Sequence, residues 1–513
     1  MKPGYLKIKI LDEVSMAIVG LRDDHLKELY DRYGIFASNY FFQPKFKLGQ
    51  WDGKIRYFYK DGKTYLYLLE DILPRLIKYG YKVEIVDQRE ENVIVPGFVS
   101  ADIFSNIIHP DTGQPIILRP DQLQGINALI EHGYGICIAG TGAGKTLMTA
   151  ALSKAYGDHG IRSLVIVPDT TLIRQTKGQY IAVGLDTGEY SGDEKSLNHQ
   201  HVISTWQALK NNPKVVNMFD MVIVDECQGL RGNVLSSLVT QHAAKMPYRF
   251  GFTGTLPKDE SDKMAVRVAV GPVRSEIKAH ELIDLKVLAK LHIDVLQLTE
   301  DLRAPYEEFC QQEAIGKPPT YTQFKDGYFP DYAAEKNYLQ NKERRIEWIA
   351  RYIDIKRDEK KGNVLCLVDN ISFGRQLAEK IEGAIFVNGQ DVKKASKRQE
   401  IYDMFKERDD LVVIATVHIA GTGLSINRIF NLLLVDIGKS FIRVIQAIGR
   451  GLRTASDKDS VWIGDISSDL KYGKRHMKVR TNYYEEAQYP YKKHKIDYLQ
   501  QLQLVENALN DKV

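Results

Sequence analysis

Residues 1 to about 100 carry a strand-like, aromatic pattern broken by two stretches of helical periodicity, DDHLKELYDRYG and LEDILPRLIKYG, the second ending at Gly80. Val95-Pro96-Gly97 then punctuates the chain. From about 115 to 280, short β-branched runs alternate with helical ones: GICIA then LMTAALSKAYG, SLVIVP then TLIRQTKGQY, followed by MVIVDE and YRFGFTGT. Such alternation predicts parallel strands joined by crossover helices. The rhythm breaks between 285 and 345, where KPPTYTQFKDGYFPDY reads as loop and NKERRIEWIARYIDIKR as a charged helix. It resumes with NVLCLVD, AIFVNG, LVVIAT, NLLLVDI and SVWIGDI, which suit a second α/β domain, and from about 470 the chain is basic and tyrosine-rich. The expected fold class is α/β: two tandem parallel-sheet domains flanked by helices, 101–282 and 283–470, behind a small α+β domain of residues 1–100 and ahead of a basic extension, 471–513.

Length agrees with several domains, since 513 residues are too many for one hydrophobic core. Hydrophobic content of 44% and charged content of 27% are ordinary for a water-soluble globular chain. The net charge of +4 is too small to announce a nucleic-acid binder, which leaves that question to local patches. The four cysteines, Cys137, Cys227, Cys310 and Cys366, are scattered without ligand spacing and read as reduced thiols. The apolar runs are far shorter than the ~20 residues of a membrane helix. These features predict an intracellular protein with no membrane partner.

The strongest chemical signal is GICIAGTGAGKTLMTAALSKAYG. A strand meets a glycine-rich loop, Gly140, Thr141, Gly142, Ala143 and Gly144, and then Lys145-Thr146 opens a helix. Glycines let backbone N–H groups turn toward phosphates, and the helix N-terminus adds the positive end of its dipole. Lys145 would reach the β- and γ-phosphates of ATP and the Thr146 hydroxyl would hold Mg²⁺. MVIVDECQ supplies the second carboxylate: Asp225 for Mg²⁺ through water, and Glu226 to orient the attacking water, both at the carboxyl end of a strand where ligands bind α/β sheets.

The spelling AGTGAGKT with DECQ resembles the superfamily 2 helicases and translocases, whose other motifs follow in order from Arg119 to Arg453. RPDQLQGINAL resembles the adenine-recognising element, with Gln122 as base reader beside Arg119. VPDTTLIRQ is similar to motif Ia, ISTWQAL to motif Ic, FTGT to motif III, ATVHIAGTGLSI to motif V and QAIGRGLR to motif VI. The resemblance implies two RecA-like domains, with Thr253, Thr255 and Gln446 coupling the nucleotide to nucleic acid and Gly423 beside the nucleotide. Arg450 and Arg453 would reach the γ-phosphate from the second domain. Pro168, Thr171, Arg174, Thr205, Thr416 and Gly421 would touch a nucleic-acid backbone, and backbone contacts position without reading sequence.

The N-terminal stretch most resembles that of phage recombination helicases, through Phe42, Pro44, Phe46, Gly49, Trp51, Asp52, Gly53, Ile55 and Arg56. This implies an ATP- and Mg²⁺-dependent, monomeric enzyme that acts on duplex, forked or branched DNA in recombination, repair and replication, inside a bacterial host cell. Alternatives are an RNA helicase (or one acting on RNA–DNA hybrids), the motor of a restriction system and an ATP-switched nucleic-acid clamp. Within Tyr40–Phe58, KFKLGQWDGKIRYF reads as a hairpin turning at Asp52-Gly53. One face would carry Lys45, Lys47, Lys54 and Arg56 toward nucleic acid, and the other would send the aromatics into a core. The tail Lys471–Lys495 holds eight lysines and arginines against two glutamates, a second basic patch that could attract phosphates.

Overall fold

The computed structural model describes residues 4–89, 94–110, 113–140, 142–192, 194–285, 287–312, 318–360, 362–388, 400, 403–405, 407–417, 429–438 and 460–510. The chain divides after Lys278 into two compact units.

Among the described residues the first unit holds two larger sheets and a two-stranded ribbon of Gly34–Phe36 with Lys54–Arg56. Lys63–Tyr65, Ser15–Val19, Tyr5–Ile10 and Lys82–Asp87 lie side by side in that order, antiparallel except for the last pair. Leu6, Ile8, Ile10, Met16 and Ile18 are buried at every second position, the period of a one-faced strand. The helices Asp23–Arg32 and Leu69–Lys78, both expected, cover that face with Leu29, Ile72 and Leu76. The second sheet is fully parallel, in the order Val273–Ile277, Tyr134–Ala139, Tyr248–Thr253, Met221–Asp225, Ser163–Val167, His201–Thr205, Thr187–Tyr190. Its central strands are continuous apolar runs because helices cover both faces.

The N-terminal layer is welded to this parallel sheet through the helix Glu260–Val270. Val268 joins the N-terminal core, the Tyr57 hydroxyl donates to Ser261 O at 2.9 Å, and Arg267 and Arg274 pair with Asp71 and Glu70, each at 2.7 Å.

The second unit is built on another fully parallel sheet, in the order Ile385–Val387, Val412–Thr416, Val364–Val368, Asn431–Val435, Ser460–Ser468, Lys290–Leu298, Tyr491–Ile496. Three expectations are corrected here. Lys290–Leu298 is a strand within the stretch read as a break in the rhythm. Tyr321–Gly327, read as loop, is a helix whose N-terminus is capped reciprocally by Thr320 and Gln323. The basic tail is no appended extension: Tyr491–Ile496 pairs with Lys290–Leu298 at the sheet edge, between the helices Lys471–Glu486 and Tyr498–Asn510. Its lysines point to solvent along that edge, where charge discourages pairing with another chain.

Buried charge pins the second unit. Arg345, fully buried, donates from Nε to Glu300 Oε1 at 3.0 Å and from a terminal nitrogen to Asp436 Oδ1 at 2.9 Å. Lys342 and the Tyr498 hydroxyl also reach Glu300. Among the described residues no helix is long and apolar enough to cross a membrane.

Candidate nucleotide site and nucleic-acid surface

The glycine-rich loop leaves the strand Tyr134–Ala139 and enters the helix Lys145–Gly157. Gly142 and Gly144 have φ of 87° and 84°, a backbone that L side chains rarely adopt. At Gly144 space forbids a side chain as well, since a Cβ would lie 2.3 Å from Gln122 Nε2. Gln122 and Arg119 brace this loop from outside. Gln122 Nε2 donates to Ala143 O at 2.9 Å, and an Arg119 terminal nitrogen donates to the same oxygen at 2.8 Å. Gln122 Oε1 accepts from the Arg119 N–H at 3.1 Å, and Arg119 pairs with Asp121 at 2.8 Å. Gln122 is thus buried with both ends of its amide bonded to protein, a bracing role that a base-reading assignment does not suggest. Lys145 lies at the first helical position with Nζ 3.2 Å from Ala139 O, and Thr146 follows in the first turn.

Asp225 ends the strand Met221–Asp225, two strands from the glycine-rich loop in the same sheet. Burial, and then the charge of neighbouring Glu226, push its carboxyl up to about 6 although Lys145 pulls it down. A desolvated carboxylate beside a second one, with a helix N-terminal hydroxyl in the same sheet layer, is a donor set that suits a hard divalent cation with oxygen ligands. Glu226 adopts φ 51°, a left-handed conformation that a non-glycine residue takes at a cost of order 1 kcal/mol. Gln228 Nε2 donates to Glu226 Oε2 at 2.7 Å, and Gln228 Oε1 accepts from the Thr253 hydroxyl at 2.5 Å. That hydroxyl also accepts from the Thr255 N–H at 3.1 Å. One amide therefore connects the acid pair to the next strand end, where Thr253 and Thr255 stand. The spelling DECQ marks residue 228 as a departure from the DECH form of the motif and leaves its coupling role open; which groups its amide joins is set by the order of the strands.

In the first unit the expected backbone contacts lie at the ends of two adjacent strands, Ser163–Val167 and His201–Thr205, and on the helix after the first. Pro168 is half-buried and Arg174 exposed, and Asp169 caps the helix between them by accepting from the Leu172 N–H at 3.0 Å. Gln207 Nε2 reaches Pro168 O at 3.4 Å and ties the two segments together. Thr205 is buried, and its hydroxyl caps the helix Trp206–Asn211 by accepting from the Ala208 N–H, so its expected contact with nucleic acid has no exposed hydroxyl behind it. Thr171 lies on the same helix as Arg174. Thr416 is buried at the end of the strand Val412–Thr416 in the second unit. Thr141, Gly421, Gly423, Gln446, Arg450 and Arg453 lie outside the described residues.

The Tyr40–Phe58 stretch departs most from expectation. It is not a hairpin: Lys45 and Lys47 lie on a short helix, Pro44–Lys47, and Lys54–Arg56 pairs antiparallel with Gly34–Phe36. The Asp52-Gly53 turn is present, with Gly53 at φ 79° and the Asp52 side chain accepting from the Lys54 N–H. The four cations do not share one open face. Arg56 pairs with Asp52 and lies 4.4 Å from the Tyr30 ring, and the Lys54 ammonium lies 5.0 Å from the Phe36 ring. Nor are the aromatics mostly core: Tyr57 and Phe58 are buried, but Phe41 and Phe42 are 50% and 65% exposed. Trp51 is half-buried and donates to Lys54 O at 2.9 Å. Alternation is a weak guide where so many aromatics and a proline leave several local packings open.

Three family profiles match in succession: the N-terminal domain of the DNA helicase UvsW over residues 6–86, the res subunit of type III restriction enzymes over 115–258, and the helicase conserved C-terminal domain over 344–455. The chain is 25% identical over 469 residues to the ATP-dependent DNA helicase uvsW of Enterobacteria phage T4, covering 88% of this chain and 89% of that one. It is 28% identical over 214 residues to the DNA 3'-5' translocase XPB2 of Sulfurisphaera tokodaii, 41% of this chain and 47% of the relative. The solved structure of the type ISP restriction-modification enzyme LlaBIII bound to DNA shares the fold, with a TM-score of 0.53 at 14% identity over 81% of this chain and 33% of that one. With a braced glycine-rich loop, an acid pair on the same parallel sheet and these three domains in order, the chain belongs to the superfamily 2 helicases and is an ATP-dependent helicase with a UvsW-type N-terminal domain.

Proposed function

We propose that the chain uses ATP hydrolysis to translocate on and remodel duplex or branched DNA, in branch migration and in fork or R-loop processing. The observation that carries this is the braced glycine-rich loop with Lys145 and, two strands away at the same end of one parallel sheet, the acid pair Asp225 and Glu226, in a chain whose N-terminal domain matches that of a DNA helicase. Lys145 neutralises the β- and γ-phosphates, the loop N–H groups orient them, and Glu226 holds the attacking water in line. Thr146 and Asp225 would hold Mg²⁺, which when bound neutralises charge on the β- and γ-phosphate oxygens. Arg450 and Arg453 are, by their motif, the cations that stabilise charge in the transition state, and Gly423 the close approach to the nucleotide. Pro168, Thr171 and Arg174 are the proposed backbone contacts in the first unit, with Lys45 and Lys47 on the N-terminal domain.

DNA is favoured over RNA by the N-terminal match to a domain of a DNA helicase and by relatives that are a DNA helicase and a DNA translocase. The test is ATPase stimulation and unwinding on single-stranded, duplex, forked and four-way DNA with matched RNA alongside. Lys145→Ala should abolish turnover, Glu226→Gln should bind ATP and hardly hydrolyse it, and Arg450→Ala should lower kcat with ATP affinity within a few-fold. Full multiple-turnover ATPase in Glu226→Gln would refute the assignment of the water-orienting acid. A larger stimulation by RNA would refute the DNA reading.

A further inference from the structure

A cavity of about 260 Å³ opens beside motif II, on the side of Asp225 away from the phosphate loop. Its apolar lining is Ile166, Val167, Pro168, Trp206, Val234 and Leu235. Asp225 and Glu226 close its inner end, and the exposed Gly229 and Asn233 mark its open side. Apart from Asp225 and Glu226, none of the residues that line it has a part in the proposed ATP chemistry. From these features, and resting on the proposed action on DNA, we propose that the cavity receives one unstacked nucleobase of the bound strand.

Three features select that occupant. The volume lies just below the ~300 Å³ at which pockets for drug-sized ligands begin, so one planar ring system fits and a helix does not. The wall is apolar with an indole in it, and every base has a face that stacks on an aromatic ring. The two carboxylates at the inner end repel phosphate, which leaves the neutral ring as the part of a nucleotide that can enter. The backbone of the same strand would then lie outside, along Pro168 and Arg174, where backbone contacts are already proposed.

Occupancy would also reach the ATP site. Gly229 follows Gln228, whose amide holds both Glu226 and Thr253. A ring seated against the 229–235 segment would restrict this turn and hold Gln228, and with it Glu226, in one arrangement. Strand binding would thereby favour the hydrolytic orientation of Glu226, a local route to DNA-stimulated ATPase.

The experiment uses the full chain with Mg²⁺, ADP and beryllium fluoride, and thymidine oligonucleotides carrying a single 2-aminopurine at successive positions. One position should differ sharply in emission from its neighbours, because a base leaving the stack brightens and one stacked on Trp206 is quenched. Gly229→Leu fills the mouth; a Cβ at that site meets only Leu235 Cδ2, at 3.4 Å. That variant should lose the single-position signal and weaken oligonucleotide binding by about 5- to 150-fold, the range expected for one stacked base. Its ratio of DNA-stimulated to DNA-independent turnover should fall toward one. Trp206→Phe should retain the binding that Trp206→Ala loses, with thermal melting as the folding control. DNA that binds with no position distinguished, or a Gly229→Leu variant that matches wild type in signal and stimulation, overturns the pocket alone. A wild-type chain that binds no DNA overturns the functional reading and the pocket with it.

Discussion

Replacing Asp225 by Asn should make the protein more stable while removing its ATPase. Burial and the charge of Glu226 raise the Asp225 carboxyl from 3.8 to about 6, so its ionised form is held at a cost in the folded chain. At 1.36 kcal/mol per pKa unit, that rise corresponds to an upper figure of about 3 kcal/mol. The sign follows from linkage. For an acid raised on folding, the cost is full above the folded value of about 6, falls to roughly half near pH 5 and vanishes below the unfolded value. Asn removes the charge and retains the oxygen that accepts the Glu226 N–H, a bond of 3.0 Å in the wild type. Thermal melting without metal or nucleotide should therefore show Asp225→Asn several degrees above wild type at pH 7.5, at about 2–4 °C per kcal/mol. The difference should shrink at pH 5. Mg²⁺ with a non-hydrolysed ATP analogue should raise the wild type and narrow the difference, because ligand bound only to the folded state stabilises it. A variant that melts below wild type at pH 7.5, or by the same margin at both pH values, would refute the desolvated acid pair.

Gln228→Ala breaks the connection between Glu226 and Thr253, so ATP affinity should hold while DNA-stimulated kcat falls about tenfold, the equivalent of ~1.4 kcal/mol; steady-state kinetics with and without DNA measure both. Arg345→Ala leaves buried Glu300 and Asp436 without their shared cation and should destabilise the second unit by about 3–5 kcal/mol, read as a lowered urea midpoint. Changing Lys45, Lys47 and Lys54 to Gln should flatten the slope of log K against log salt for forked DNA by up to about 3. Adding Arg56→Gln should flatten it little further, since Arg56 is engaged with Asp52; a large extra change would show that this pair opens onto DNA.

The phosphate loop was legible in the sequence because its chemistry is contiguous: a strand, glycines that permit left-handed backbone, a lysine and a helix follow within a dozen residues. The parallel strands were legible for a related reason, since burial on both faces demands unbroken apolar runs such as SLVIV and NLLLV. Edge strands obey no such demand. Tyr491–Ile496 is mostly lysine and histidine, and only its register beside Lys290–Leu298 makes it part of the sheet. The Tyr40–Phe58 stretch failed because its alternation fits a hairpin as well as a helix and strand, and packing against Tyr30, Gly34 and Phe36 decides between them. The bridge by Gln228 and the brace by Gln122 join residues 25 and 21 positions apart. An amide's partners are set by which strand ends the sheet order brings together, and that order is decided only in three dimensions.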